Sequence, residues 1–271
     1  PISDLLPPSG RLLVAPHGRL HRVPFECLHD GAGYLADRLV ISRIPSSDFP
    51  AQRRADAPGR ESAGGPGRGP AATWEQRDAA ATSHRGAIIV SGTIASGPPA
   101  VAAELDAVAG CFPPRGVRVL RDASTKEILA LLPRARLLHL CSHGAFREDN
   151  PLFSRLSTGD GALFVADVLE RRLQAELVVL SACNTGRVFA GRGDDLAGVA
   201  HAFLAAGARH LIASLWRVHD SATVALMSAF YRHYRGDARG DPPLALARAG
   251  RDLREEWNHP FYWGSFSAHG A

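Results

Sequence analysis

The sequence predicts an α/β fold: a doubly wound, mostly parallel sheet with helices on both faces, plus a small N-terminal strand-rich arm. Three observations lead there. From Ala87 onward, short apolar runs alternate with longer amphipathic ones. The apolar runs are continuous rather than alternating, as expected of strands covered on both sides. A stretch dominated by Gly, Pro, Ala, Arg and Ser, Pro50 to Gly86, separates this pattern from what precedes it.

Before that stretch, "RLLVAPHG", "HRVPFECL" and "YLADRLVISRIP" read as short strands between Gly- and Asp-containing turns, forming a small meander. An arm of that size cannot hold a core of its own, so residues 1–49 are expected to pack on the main domain. Residues 50–86 carry too few large apolar side chains to offset their ordering entropy and are expected to be a linker or mobile loop. Residues 87–271 make the α/β domain. There "AIIVSG" is a strand, "AVAAELDAVAGCF" a helix, "VRVL" a strand, and "STKEILALLP" a helix capped by Ser124 or Thr125. "RLLHLCSHG" is a strand, "ADVLERRL" a helix, "AELVVLSAC" a strand, "DLAGVAHAFLAAG" a helix ended by Gly207, and "RHLIASLW" a strand. Two helices, "SATVALMSAFYRHY" and "PLALARAGRDLREEW", precede a last extended piece, "FYWGSFSA".

Composition narrows the functional classes. The chain has 271 residues, 45% of them hydrophobic, yet no apolar run approaches the roughly 20 residues that cross a bilayer. "PISDLLPPSG" lacks the basic start and apolar middle of a signal peptide, so a cytoplasmic location without membrane attachment is expected. The chain opens on Pro1, and a longer parent polypeptide is expected. Its net charge of +4 comes almost wholly from scattered arginines, Lys126 being the only lysine. With aromatics at 7% there is no basic stripe interleaved with stacking residues, and nucleic acid is not an expected partner. Cys27, Cys111, Cys141 and Cys183 are too few and scattered for a disulfide framework and include no CxxC pair.

In an open parallel sheet, ligands bind beyond the carboxyl ends of the strands. Those ends read Ser91-Gly92, Ser142-His143-Gly144, Ser181-Ala182-Cys183 and Trp216-Arg217-Val218-His219-Asp220. Two of them carry an imidazole and a thiol, on strands expected to be neighbours. A free thiol with a pKa of about 8.5 is only slightly ionised at neutral pH, and an adjacent imidazole can take its proton. His143 and Cys183 are therefore a candidate dyad. Gly144, Ala182, Asn184 and Gly186 keep the surroundings small, and the Gly144 and Cys183 amides are candidates for an oxyanion hole. The competing reading is a small buried hydrophobe ending one strand and a plain His-Gly turn ending the other.

His139, Cys141 and His143 recur at period two and share one face of a strand. A fourth ligand is not evident, and no metal is expected. "SGTIASGPP", Ser91 to Pro99, has neither GxGxxG nor the P-loop lysine, so no nucleotide or other cofactor is expected.

The blocks "LLHLCSHG", "LVVLSACNTG", "GDDLAGVAHAFLAAGARHLIASLWRVHDSATVALMSAFYRHY" and "HPFYWGSFSAHG", with the leading "PHGRLHRVPFECLHD", resemble the successive signatures of the CHAT-domain family, relatives of caspases and separases. The resemblance spans nearly the whole chain outside the linker. It implies a caspase-like fold and a cysteine endopeptidase acting on a protein substrate, with His143 as general base and Cys183 as nucleophile. It also implies regulation by a partner or by fused tetratricopeptide repeats lying upstream. The chain departs from the family pattern at Ala200-His201 and at His219.

For the substrate pocket the candidates are Asp220, Trp216 and Asp194. By likeness to separases, an acid in the stretch holding Asp220 would read a basic P1 side chain, and a carboxylate can pair a guanidinium bidentately. Asp220 and the pair Asp194-Asp195 also suit helix N-caps, while Trp216 is a pocket wall or plain core. The loop "NTGRVFAGRGDD", with Arg187 and Arg192, is a candidate substrate or activation loop. The alternative to an enzyme is a non-catalytic signalling or scaffold module of the same fold.

Overall fold

The computed structural model describes residues 5–45, 86–91, 99–145, 147, 150–183, 202–216 and 218–270. The expected linker, apart from Gly86, and the loop holding Arg187, Arg192, Asp194 and Asp195 lie outside them. Among the described residues ten strands form one sheet. In chain order they are β1 Gly10–Val14, β2 Leu39–Arg43, β3 Ala87–Ser91, β4 Val117–Leu120 and β5 Leu137–Ala145, followed by β6 Arg155–Thr158, β7 Gly161–Phe164, β8 Leu177–Cys183, β9 His210–Ser214 and β10 Phe266–His269. Across the sheet the order is β1-β2-β10-β9-β8-β5-β3-β4, and the hairpin β6–β7 leaves this path at the end of β5. Strands β9, β8, β5, β3 and β4 are mutually parallel. Strand β10 runs against β9, and β1 and β2 run with β10.

The helices are α1 Pro99–Gly110, α2 Thr125–Leu131, α3 Val165–Leu169, α4 Asp220–Arg235, α5 Pro242–Arg254 and α6 Pro260–Trp263, and residues 202–205 are helical as well. They cover both faces because successive strand residues face opposite ways. On one face Ile89, Leu137, Cys141, Leu177, Val179 and Ile212 pack with Leu105 of α1, Leu226 and Phe230 of α4, and Leu246 of α5. On the other, Ile88, Leu138, Leu140, Val178, Leu180 and Leu211 meet Ile128 of α2, Val168 of α3 and Phe203. Continuous apolar strands therefore feed two cores at once.

Local signals start and stop these helices. Ser124 caps α2 reciprocally: its Oγ accepts from the Glu127 amide at 3.2 Å, and the Glu127 carboxylate accepts from the Ser124 amide at 2.9 Å. Asp241 caps α5 by accepting from the Leu244 amide at 3.1 Å, ahead of Pro242 and Pro243 in the first turn. Gly207 follows the 202–205 helix at φ +119°, where a Cβ would stand 2.2 Å from the Leu173 carbonyl oxygen.

The N-terminal arm departs from the expected meander. Strands β1 and β2 pair in parallel, and "HRVPFECL" forms two 3-10 turns, Gly18–Arg22 and Phe25–Cys27, instead of a strand. The physical reason is Arg43, 2% exposed, whose guanidinium donates to the His21 and Val23 carbonyls at 2.7 Å each and holds that segment curled over it. The arm extends the main sheet: Arg43 pairs with His269, and the Gly270 amide donates to the Arg43 carbonyl at 2.8 Å. On α5, Arg251 donates to the Ala36 carbonyl, and the Arg254 guanidinium lies 4.6 Å from the Trp263 ring centre.

Two consequences can be measured. Gly207→Ala places a Cβ against backbone at a positive φ and should cost about 2 kcal/mol or more in chemical denaturation; an unchanged midpoint would contradict this geometry. Burial first, then the charges of Arg43 and His21, hold His269 at about 3, far below the usual 6.5. Between those values the unfolded chain takes up a proton that the folded chain refuses, so stability falls as pH drops from 6.5 toward 3, by up to ~1.4 kcal/mol per pH unit. His269→Gln should flatten that slope, whereas parallel slopes in the two proteins would refute it.

Candidate functional site

Strand β5 is internal, flanked by β3 and β8, and its Leu138, Leu140 and Cys141 are sunk in the two cores. With β8 it pairs over seven residues, from Leu137↔Leu177 to His143↔Cys183. The register is pinned because a slip of one residue would turn every apolar side chain to the wrong core. The two sequence-predicted dyad positions are thus direct partners across adjacent strands, at the carboxyl rim of both. Parallel neighbours lie ~4.8 Å apart and in-register positions share a face. His143 is half-buried.

Past His143 the strand enters a ladder that the sequence pattern had left unassigned. Gly144 pairs with Leu156 and Ala145 with Arg155 of β6, and β6 returns through β7. The Ser142 hydroxyl donates to the Ser157 carbonyl at 2.5 Å, fastening β5 to this hairpin. The hairpin tip is tied in turn to α2. Asp160 accepts from the Thr125 amide at 2.8 Å and from the Thr158 hydroxyl at 3.1 Å, and these hydrogen bonds hold its carboxyl below the ordinary aspartate range. The loop positions Thr-Gly-Asp-Gly at 158–161 were the available signal for this turn.

Behind the rim, on the face of β5 that meets α1 and α4, lies a buried polar group. His139 is fully buried: Nδ1 stands 3.0 Å from the Tyr231 hydroxyl and Nε2 2.9 Å from Cys141 Sγ. Glu104 of α1, 3% exposed, brings Oε1 to 3.3 Å from His139 Nε2. Burial drives the Tyr231 hydroxyl well above its usual range and keeps it protonated. His139 and Cys141 are both fully buried. Glu104 and Tyr231 were not legible in the sequence, since a glutamate on an amphipathic helix ordinarily faces water.

The next strand end supplies the pocket candidates. Trp216, just past β9, stacks on Phe261 with ring centres 6.3 Å apart, and its indole N–H donates to the Phe261 carbonyl at 3.1 Å. It is half-buried. His219 takes the N-cap position of α4, and Asp220 is the exposed first residue of the helix, so the N-cap reading of Asp220 gives way to a place in the first turn. Asp194 lies outside the described residues. Among the described residues no helix is long and apolar enough to cross a membrane.

A family model described as "CHAT domain" matches residues 1–271. Tetratricopeptide repeat protein 28 of Mus musculus is 28% identical over 203 residues, covering 60% of this chain and 8% of the relative. The Homo sapiens protein of the same name is 26% identical over 198 residues, covering 58% and 8%. The chain thus spans under a tenth of the length of these relatives. Among solved structures, the Saccharomyces cerevisiae separase–securin complex matches with TM-score 0.59 at 12% identity, over 93% of this chain and 14% of that one. A second structure of that complex gives 0.58 at 13% identity, over 93% and 15%. At such identities the likeness shows the fold, which is the caspase-like α/β fold of separase.

Proposed function

The chain belongs to the CHAT-domain family, and on that premise we propose that it is a cysteine endopeptidase using Cys183 as nucleophile and His143 as general base. The observation that carries this reading is the direct pairing of the two positions at one rim of the sheet. Family membership and the separase-like fold support the broader class, a caspase-like peptidase.

In the proposed reaction, His143 takes the Cys183 proton and the thiolate adds to a peptide carbonyl, forming a C–S bond and an oxyanion. Main-chain amides at Gly144 and Cys183 stabilise that oxyanion. Collapse breaks the C–N bond, and the imidazolium returns its proton to the leaving amine. Water, deprotonated by His143, then hydrolyses the thioester and regenerates the thiol. No step requires a cofactor. A basic P1 side chain is read by Asp220, with Trp216 and Asp194 as further pocket residues. Residues 1–49 and 87–271 act as one peptidase unit, with residues 50–86 connecting them. The tetratricopeptide repeat relatives and the separase–securin complex support a protein substrate and control by fused repeats or a regulatory partner.

Cys183→Ala and His143→Ala should each reduce cleavage in a peptide-library assay by at least ~10³-fold with the melting temperature unchanged. Equal activity in either purified variant would overturn the assignment. A failure of the unmutated chain both to cleave and to take a thiol-reactive peptidyl probe at Cys183 would favour the non-catalytic scaffold.

A further inference from the structure

The buried group behind the rim has the composition of a metal site. One donor atom each from Glu104, His139 and Cys141 lies within 4.8 Å of the others, and the three residues are 3%, 0% and 0% exposed. The sequence pattern had offered His143 as the third member of this set; the fold brings in Glu104 instead, 35 residues ahead of His139 in the chain. We propose that Glu104, His139 and Cys141 bind one divalent d-block cation, zinc in the first instance, and that this ion ties α1 to β5 two residues before His143.

Several independent features point to an ion rather than to packing alone. Glu104 Oε1 stands 3.3 Å from His139 Nε2 but accepts no aligned hydrogen bond, although it is shut off from water. A buried carboxylate oxygen left in that state costs several kcal/mol, and a cation removes the cost. The His139 ring is oriented as a ligand would be: Nε2 faces both other donors, and Nδ1 is engaged by the Tyr231 hydroxyl, the outer partner that fixes tautomer and ring angle. A thiolate, an imidazole and a carboxylate together select zinc or a similar ion over magnesium or calcium, which prefer all-oxygen shells. Two of the three donor separations can be set against a tetrahedral site. Bonds of about 2.0–2.1 Å to N and O set an N···O edge near the 3.3 Å observed, while a Zn–S bond of about 2.3 Å asks the 2.9 Å N···S contact to open by roughly 0.6 Å. Binding replaces the Cys141 S–H bond by a metal–sulfur bond and releases that proton to the buffer. Thiolate and carboxylate then balance the double positive charge, leaving the core neutral.

The test uses the whole 271-residue chain carrying Cys183→Ala and His143→Ala, so that the dyad cannot hold the metal and the result does not depend on peptidase activity. The protein is folded under reducing conditions with Co(II) or Zn(II), passed through gel filtration, and read by elemental analysis and by the Co(II)–thiolate absorption band. Stoichiometric metal with a thiolate band, both lost in Cys141→Ser and in Glu104→Gln while the helical circular dichroism persists, is the expected result. Metal absent after filtration, or retained in both variants, overturns the site. If the variants fail to fold, X-ray absorption on the zinc-loaded parent decides: one sulfur among nitrogen and oxygen scatterers supports the site, and a shell without sulfur refutes it.

Discussion

The centre of this structure depends on one pairing, the seven-residue parallel register between β5 and β8. It is buried on both sides, with β3 and β9 closing the flanks and a separate apolar core above and below. Leu138, Leu140, Val178 and Leu180 are committed to one core, while Leu137, Cys141, Leu177 and Val179 are committed to the other. No single-residue shift satisfies both commitments, so the rim positions reached by the two strands are set by packing well away from them. A chemistry that needs two groups at fixed separation is best built on such a support.

The rest of the molecule bears on that pair from two directions. Beyond the rim, the β6–β7 hairpin receives the end of β5 through Gly144 and Ser142 and is itself tethered to α2 by Asp160. Below the rim, α1 and α4 contribute Glu104 and Tyr231 to a polar group around His139 that interrupts an otherwise apolar core. An unpartnered buried polar atom is costly, so the hydrogen bonds of His139 to Tyr231 and Cys141 bind β5 to α4 here while Glu104 Oε1 is left for a further partner. The N-terminal arm is attached on the far side of β10, where Arg43 organises the 3-10 turns, and extends the sheet at that edge.

The central strands and helices were legible in the sequence because two-sided burial writes a continuous apolar run and helical covering writes a 3.6-residue period. The adjacency of the strands holding His143 and Cys183 followed from their succession with a helix between them. What could not be read was direction and distance. Period-two patterns do not say whether β1 and β2 run together or opposed, and the curl of "HRVPFECL" depends on Arg43, some twenty residues away. The hairpin strands are four residues each, too short for a period to declare itself against the turn between them. Glu104 reads as a solvent-facing acid on α1, and only tertiary packing reveals that it points inward with Leu105 and Val101. The stacking of Trp216 on Phe261 likewise depends on where α6 lies, some forty-five residues further along the chain.

The most direct test of the pairing as chemistry is the pH dependence of Cys183 alkylation, followed by peptide mass mapping so that the other cysteines are scored separately. The account predicts that Cys183 reacts as a thiolate at pH values below the ~8.5 midpoint of a free thiol, and that His143→Ala moves the profile back toward that midpoint. Identical profiles with and without the imidazole would mean that the two rim positions share a register and no proton.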